Sequence, residues 1–335
     1  MRHEALFWEN SGDGRVTCSL CAHRCSVAEG AFGFCGVRRN ENGTLRTFTY
    51  GEVVSAHVDP IEKKPLYHVL PGSQAYSVAT PGCNFKCDFC QNWRISQLSY
   101  REGNLGGKPM SPERIVEDAK RRGCESIAYT YTEPTIFFEY ALDTARQASA
   151  AGLRNVFVTN GYMTPEVLET AAPVLDACNV DLKSFSDSFY RENCRGRLEP
   201  VLEAIRTMKR LGIWIEITTL VIPDRNDSVK ELRSIADFIA GVDPSIPWHV
   251  TAFRPGYRAQ DIPATPVATL KTTLDIGANA GLVHVYPGNL ALAVDTTCAH
   301  CGETVVSRGG FGGKSSVTAE GTCPSCGSRV AGVWS

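Results

Sequence analysis

Three cysteines near the end of the first quarter of the chain, Cys83, Cys87 and Cys90, fall in the run Thr80-Pro81-Gly82-Cys83-Asn84-Phe85-Lys86-Cys87-Asp88-Phe89-Cys90, a C-x3-C-x2-C spacing. Three thiolates on one short loop can hold three irons of a 4Fe–4S cluster. No fourth cysteine follows nearby, so one iron stays open to chelate a small molecule and pass it an electron. Two plainer readings compete: a zinc site completed by a distant Cys or His, and buried apolar thiols. Zinc ligands usually come as paired knuckles, which an x3–x2 triplet fits poorly, so the spacing favours the cluster.

The chain has 335 residues, enough for one large domain or two to three smaller ones, and is 43% hydrophobic and 21% charged, as an ordinary globular protein is. A formal net charge of −2 gives no electrostatic case for nucleic acid or a membrane surface. The 14 cysteines are clustered: four at 18–35, three at 83–90 and four at 298–326, with Cys124, Cys178 and Cys194 apart. Knuckle-like spacing without an apolar leader at Met1-Arg2-His3-Glu4-Ala5 points to metal sites in a reducing cytoplasm, not to a disulfide framework. No stretch approaches the length of a membrane span.

Residues 1–70 read as a Cys-rich N-terminal extension with a probable metal site, 71–290 as an α/β core and 291–335 as a small separate module. A hairpin is expected at Asn42-Gly43, and the polar, proline-bounded stretch 59–67 reads as a loop. From residue 75 strands and helices alternate, with strands expected at 75–79, 126–131, 155–159, 177–182, 213–220, 249–253 and 283–286. Ser111-Pro112 and Thr164-Pro165 signal helix starts, Ser228 with Glu231 a capping box, and Gly123, Gly152, Gly212 and Gly281 helix ends. This order implies parallel strands joined by right-handed crossovers. A partial (β/α) TIM-type barrel is favoured over a doubly wound sheet, because Cys83 follows the first strand of the core, where a barrel carries its chemistry.

Polar residues at the other strand ends are the next candidates. The second strand runs into Tyr131-Thr132-Glu133-Pro134, the third into Asn160-Gly161 and the fourth into Asp181-Leu182-Lys183. Asp181 and Lys183, two apart on a strand, point the same way; they could serve a ligand or form a strand-end salt bridge. Arg254, after the sixth strand, could grip a carboxylate bidentately or be a surface arginine. Cys194 lies after the fourth strand between Arg191 and Arg195, which favour thiolate. It is a candidate catalytic hydrogen donor or simply a loop cysteine, while Cys124 and Cys178 read as core.

Two further groups flank the core. Cys298-x2-Cys301 and Cys323-x2-Cys326, separated by 21 residues, form a zinc-ribbon pattern, with a single iron as the minor alternative. Cys18, Cys21, Cys25 and Cys35 could close one zinc site, the favoured reading, or hold a second iron–sulfur cluster; His23 is a possible substitute ligand.

The cysteine triplet with Phe89 resembles the signature of the radical S-adenosylmethionine (SAM) enzymes. That resemblance implies SAM chelation by the open iron, reductive cleavage to methionine and a 5′-deoxyadenosyl radical, and packing of Phe89 near the adenine. The superfamily often has Gly-Gly-Glu-Pro at the second strand end, whose backbone binds the methionine amino group; this chain keeps Glu133-Pro134 but has Tyr131-Thr132 for the glycines. Thr159-Asn160-Gly161 and Asp181-x-Lys183 resemble the activating enzymes of glycyl-radical proteins. Cys18–Cys25, Asp59-Pro60-Ile61-Glu62-Lys63-Lys64-Pro65-Leu66-Tyr67-His68, Cys90–Gln97 and Tyr129–Thr135 look like the radical SAM component of the AmmeMemoRadiSam system, over essentially the whole chain. The implied cofactor-binding residues are Phe89, Thr132, Glu133, Asn160, Asp181, Lys183 and Arg254. The implied partners are a flavodoxin- or ferredoxin-type electron donor and either companion proteins or a protein substrate. A small-molecule substrate and a non-catalytic iron–sulfur or zinc scaffold are the competing readings.

Overall fold

In a computed structural model of the chain, residues 2–103, 105–290, 294–310 and 312–335 are described. Met1 and the expected module boundary at residue 291 lie outside them. The central sheet has eight strands: β1 (Ser55–Pro60), β2 (Gln74–Ala79), β3 (Ser126–Tyr129), β4 (Arg154–Thr159), β5 (Ala177–Asp181), β6 (Trp214–Val221), β7 (Trp248–Ala252) and β8 (Val285–Gly288). Their order across the sheet is their order in the chain, with β2 to β8 parallel and β1 antiparallel to β2. There is no reversal of strand order, as a doubly wound sheet would need. The sheet is open, with β1 and β8 as its edges.

The parallel strands read as near-continuous buried runs because both faces are covered. Crossover helices α1 (Pro112–Arg121), α2 (Phe138–Ala150), α3 (Pro165–Ala171), α4 (Glu199–Arg210), α5 (Val229–Val242) and α6 (Val267–Asn279) connect them. Ser111 and Ser228 cap α1 and α5 by accepting from Arg114 N and Glu231 N. Thr164 departs from its expected role: its hydroxyl donates to Ser19 O at 2.9 Å, tying α3 to the N-terminal extension. Gly123, Gly152, Gly212 and Gly281 follow helices with φ between 68° and 91°, the left-handed geometry of a helix stop.

The extension forms two small antiparallel sheets. One contains the hairpin of Arg38–Glu41 with Thr44–Thr47, turned by Asn42 and Gly43 at φ of 53° and 76°. Val16, Leu20, Val37 and Leu45 join the same apolar core as the crossover helices. At the other end, strands Thr296–Thr297, Thr304–Gly309 and Gly312–Ser315 form the ribbon sheet, and Cys298, Val305, Cys323 and Val330 make its small core.

The stretch 59–67, expected as a loop, is a loop only over its second half. Asp59-Pro60 ends β1, Ile61–Lys63 is a 3-10 turn, and Ile61, Glu62, Lys64 and Leu66 are buried. Ile61, Leu66 and Val69 pack on Ala75, Ala128, Val156 and Ala177 of the sheet. Polarity misleads here because the charges are neutralised inside: Asp59 meets Lys63 and Lys64 at 2.7 Å each.

Candidate active site

The loop between β2 and α1 carries Cys83, Cys87 and Cys90 into the wall of a cavity of about 480 Å³. Gly82 opens the loop at φ 100°, and a Cβ there would meet Val37 Cγ1 at 2.8 Å. Glycine therefore lets the loop press against the N-terminal extension. Phe85 N donates to Cys83 Sγ at 3.3 Å, and Ser96 Oγ lies 3.1 Å from Cys90 Sγ. The loop is also pinned to the turn at Tyr190–Cys194, through Lys86 N to Cys194 O at 2.9 Å and Asp88 N to Asn193 O at 3.2 Å. Arg225 Nη1 holds Asp88 Oδ2 at 2.6 Å.

The same cavity is lined by Phe89, Thr132, Glu133, Asn160, Asp181 and Lys183, brought together from four strand ends. Glu133 is buried and fully engaged: its carboxylate accepts from Thr135 N, Thr135 Oγ1, Thr159 Oγ1 and Asn160 N at 2.6–3.1 Å. It fastens the end of β3 to that of β4, and burial raises its pKa. Asn160 Nδ2 reaches Asn84 Oδ1 at 2.7 Å, next to Cys83. Asp181 and Lys183 do form an ion pair, at 2.8 Å, and do so on the cavity wall, so the two readings of this pair coincide. Burial works against the Lys183 ammonium, but Asp181 and the thiols of Cys87 and Cys194 outweigh it and raise its pKa.

Two expected residues stand elsewhere. Arg254 is exposed and reaches Asn289 O at 3.4 Å; it does not line the cavity. Cys194 is not in an open loop but in a π-helical turn, fully buried, with its thiol against that of Cys87 and outside the cavity wall. A hydrogen donor to a ligand in the cavity would have to reach it, so this placement corrects the expectation of a mouth-facing thiol.

The structure also supplies residues that strand-end reading missed. Lys64, Tyr67, Thr218, His249 and Thr251 line the same space, as does Tyr131 at the second strand end. Tyr131 stands where the superfamily pattern has a glycine, and its φ is 62°. The backbone thus keeps a left-handed geometry that a bulky residue rarely adopts. Its hydroxyl donates to Asp59 Oδ2 and Lys64 Nζ sits 4.5 Å from its ring centroid. Asp59 and Lys64 belong to the run Asp59–His68, so that run contains the partners that hold Tyr131 in place. The signal was present as two lysines after an aspartate, but the burial of Asp59 and Lys64 was not legible.

The donor set fits an iron–sulfur cluster better than one ion. Among the described residues, three or more ligating atoms come within 4.8 Å of one another only at Cys298, Cys301, Cys323 and Cys326. Cys83, Cys87 and Cys90 do not all lie that close to one another, and they line open space. Thr218 Oγ1 on the cavity wall and Asn84 Nδ2 beside Cys83 are buried without a partner, as atoms that await a polar ligand are. In the ribbon, Cys298 and Cys326 sulfurs lie 3.7 Å apart and those of Cys301 and Cys323 3.8 Å. That is close to the edge of about 3.8 Å expected for a tetrahedron of thiolates about 2.3 Å from a zinc ion.

Residues 77–239 match the family model described as the radical SAM superfamily. This stretch is a radical SAM domain, of the superfamily that the model describes. Over 93% of its length, and 93% of the relative's, it is 43% identical to an uncharacterised protein of Methanocaldococcus jannaschii. A putative glycyl-radical enzyme activating enzyme of the same organism is 26% identical over 48% of this chain and 67% of its own. The fold is also similar to that of a radical SAM methyltransferase from Sphaerobacter thermophilus, with a TM-score of 0.51, 14% identity and coverage of 65% of this chain and 66% of that one. Superfamily membership implies a 4Fe–4S cluster and SAM as cofactors. No described helix of this radical SAM protein is long and apolar enough to cross a membrane.

Proposed function

We propose that this chain is the radical SAM component of an AmmeMemoRadiSam-type system, taking a hydrogen atom from a partner protein. The observation that carries the chemistry is the convergence of Cys83, Cys87 and Cys90 with strand-end polar groups on one cavity. When bound, the cluster and SAM supply a 5′-deoxyadenosyl radical for hydrogen abstraction. The chain's own residues bind, orient and shelter. Cys83, Cys87 and Cys90 hold three irons. Thr132, Asn160, Asp181 and Lys183 offer hydroxyl, amide and charged groups to the methionine and ribose ends of SAM, with Phe89 beside the adenine. Glu133, already satisfied by protein donors, keeps Asn160 and the β3 end in place. Lys64 and Tyr131 wall the cavity on the side of the segment Asp59–His68 and limit water.

A protein substrate is supported by two relatives named as putative glycyl-radical enzyme activating enzymes, at 26% and 25% identity. A small-molecule substrate is the second reading, favoured by a 7-carboxy-7-deazaguanine synthase of Thermococcus kodakarensis at 25% identity over 52% of this chain. The reductant is a flavodoxin- or ferredoxin-type protein. The ribbon cysteines hold a structural zinc. The test is anaerobic reconstitution with dithionite and SAM. The expected result is 5′-deoxyadenosine well above a Cys87→Ala control, with deuterium from a labelled companion protein appearing in it. Equal product from both proteins would refute the radical reading. Deuterium transfer from a metabolite instead would move the substrate to the second reading.

A further inference from the structure

The four N-terminal cysteines surround a second space. Cys18, Cys21, Cys25 and Cys35 line a cavity of about 20 Å³, together with Leu20, Gly33, Phe34 and Arg38. That exceeds the ~10–15 Å³ that one water needs. Four thiolates meeting at about 2.3 Å on a zinc ion leave no room for a water at their centre. The contrast with the ribbon is direct: its sulfurs have drawn to 3.7 and 3.8 Å, whereas among the described residues no three N-terminal sulfurs lie within 4.8 Å of one another. Like Cys83, Cys87 and Cys90, the N-terminal set lines a cavity and does not close to that limit.

Two further observations point to an anionic occupant. Arg38, in the cavity wall and 2% exposed, has a buried Nε–H with no partner, although its other donors bind Glu139 and Leu6 O. Phe34 N donates to Cys25 Sγ at 3.4 Å, as Phe85 N does to Cys83 Sγ at 3.3 Å. Amide bonds of this kind stabilise thiolate sulfurs that bind a cluster. The cavity adjoins the active-site loop. His23 Nε2 is 2.7 Å from Asn84 O, and a Cβ on Gly82 would lie 3.5 Å from Cys35 O. Both loop residues flank Cys83.

We infer that Cys18, Cys21, Cys25 and Cys35 hold a second iron–sulfur cluster of the four-iron class, packed directly behind the active-site loop, and not a zinc ion. This site stands on its own geometry and does not require the proposed substrate.

The test is iron, sulfide and zinc analysis with Mössbauer spectroscopy of anaerobically reconstituted full-length protein. The expected content is about 8 iron, about 8 sulfide and one zinc per chain. A triple variant, Cys83→Ala with Cys87→Ala and Cys90→Ala, should keep half of the iron as a cluster. Replacing the four N-terminal cysteines risks misfolding, so the triple variant decides. If it holds no iron and binds two zinc ions per chain, the inference fails. If wild type holds about 4 iron and the triple variant keeps all of it, the N-terminal site stands and the active-site cluster falls.

Discussion

The ribbon and the active-site loop both gather cysteines on tight turns, and they end in opposite states. In the ribbon, two knuckles on separate turns close on each other until four sulfurs enclose a point. In the loop, three sulfurs come from one segment and are held apart by its own backbone and by the turn at Tyr190–Cys194. The first arrangement leaves no gap between its four sulfurs. The second keeps a face toward a cavity of about 480 Å³ and can act on what enters it. Coordination geometry, more than cysteine count, separates a structural from a reactive site. The two regions are also joined: Asp59–His68 touches the active site at one end and the ribbon at the other, where Val333 N donates to His68 O at 2.7 Å and Arg308 Nη2 to Tyr67 O at 2.6 Å.

The sharpest way to break the comparison is to remove one sulfur from each region. Cys87→Ala should reduce 5′-deoxyadenosine to background while leaving zinc and the melting transition near wild type. Cys323→Ser should release the ribbon metal and lower thermal stability while retaining the active-site iron. If both variants lose the same metal, the two regions are not distinct sites.

Asp59→Asn comes next. It strands Lys64, whose side chain is 2% exposed, beside a neutral amide. Breaking a buried pair costs about 3 kcal/mol, to be read by urea denaturation, and a weaker hold on Tyr131 should raise KM for SAM. Burial opposes the Asp59 carboxylate, but bonds from Lys63, Lys64 and Tyr131 prevail and lower its pKa. Its contribution is therefore complete above the ordinary aspartate pKa of about 3.9 and shrinks as pH falls below it. The gap between wild type and variant should close in acid; a gap independent of pH would rule the ion pair out.

A smaller effect probes the ribbon end. Burial lowers His68 to about 4 and His284 to about 3. His68 donates from Nδ1 to Ala331 O and accepts at Nε2 from the Tyr286 hydroxyl, so it is held neutral. The unfolded chain takes up protons near pH 6.5 and the folded one does not. Stability should therefore fall from pH 6.5 toward pH 4, by up to about 1.4 kcal/mol per pH unit for each histidine. Flat stability over that window in denaturant titrations would contradict a neutral, buried His68 and a neutral, half-buried His284. Smallest of all is Arg254→Ala. The side chain is exposed and outside the cavity, so SAM cleavage should stay within about 2-fold of wild type, as for a surface change. A 10-fold loss would restore Arg254 to the site.

Local signals carried far in this chain because the fold is built from adjacent repeats of strand and helix. The seven parallel strands, the helix stops at Gly123 and Gly152 and the hairpin at Asn42-Gly43 all depend on neighbours in sequence, and each was legible. Where a side chain's role depends on a distant partner, reading failed. Thr164 bonds Ser19 instead of capping its own helix, and Asp59, near the end of an edge strand, is met by Lys63 and Lys64 just beyond it and by Tyr131.

The amino-acid order alone determined which sulfurs belong together, since ligand spacing within a turn is a matter of a few bonds, and it determined the succession of strands that brings Cys83 to their C-terminal side. Only tertiary packing decided how far apart those sulfurs stand, which strand-end groups share a cavity with them, and that Tyr131 could take a glycine's backbone. Those outcomes depend on desolvation and on contacts across 70 residues or more, as between Tyr131 and Asp59, and no local pattern encodes them.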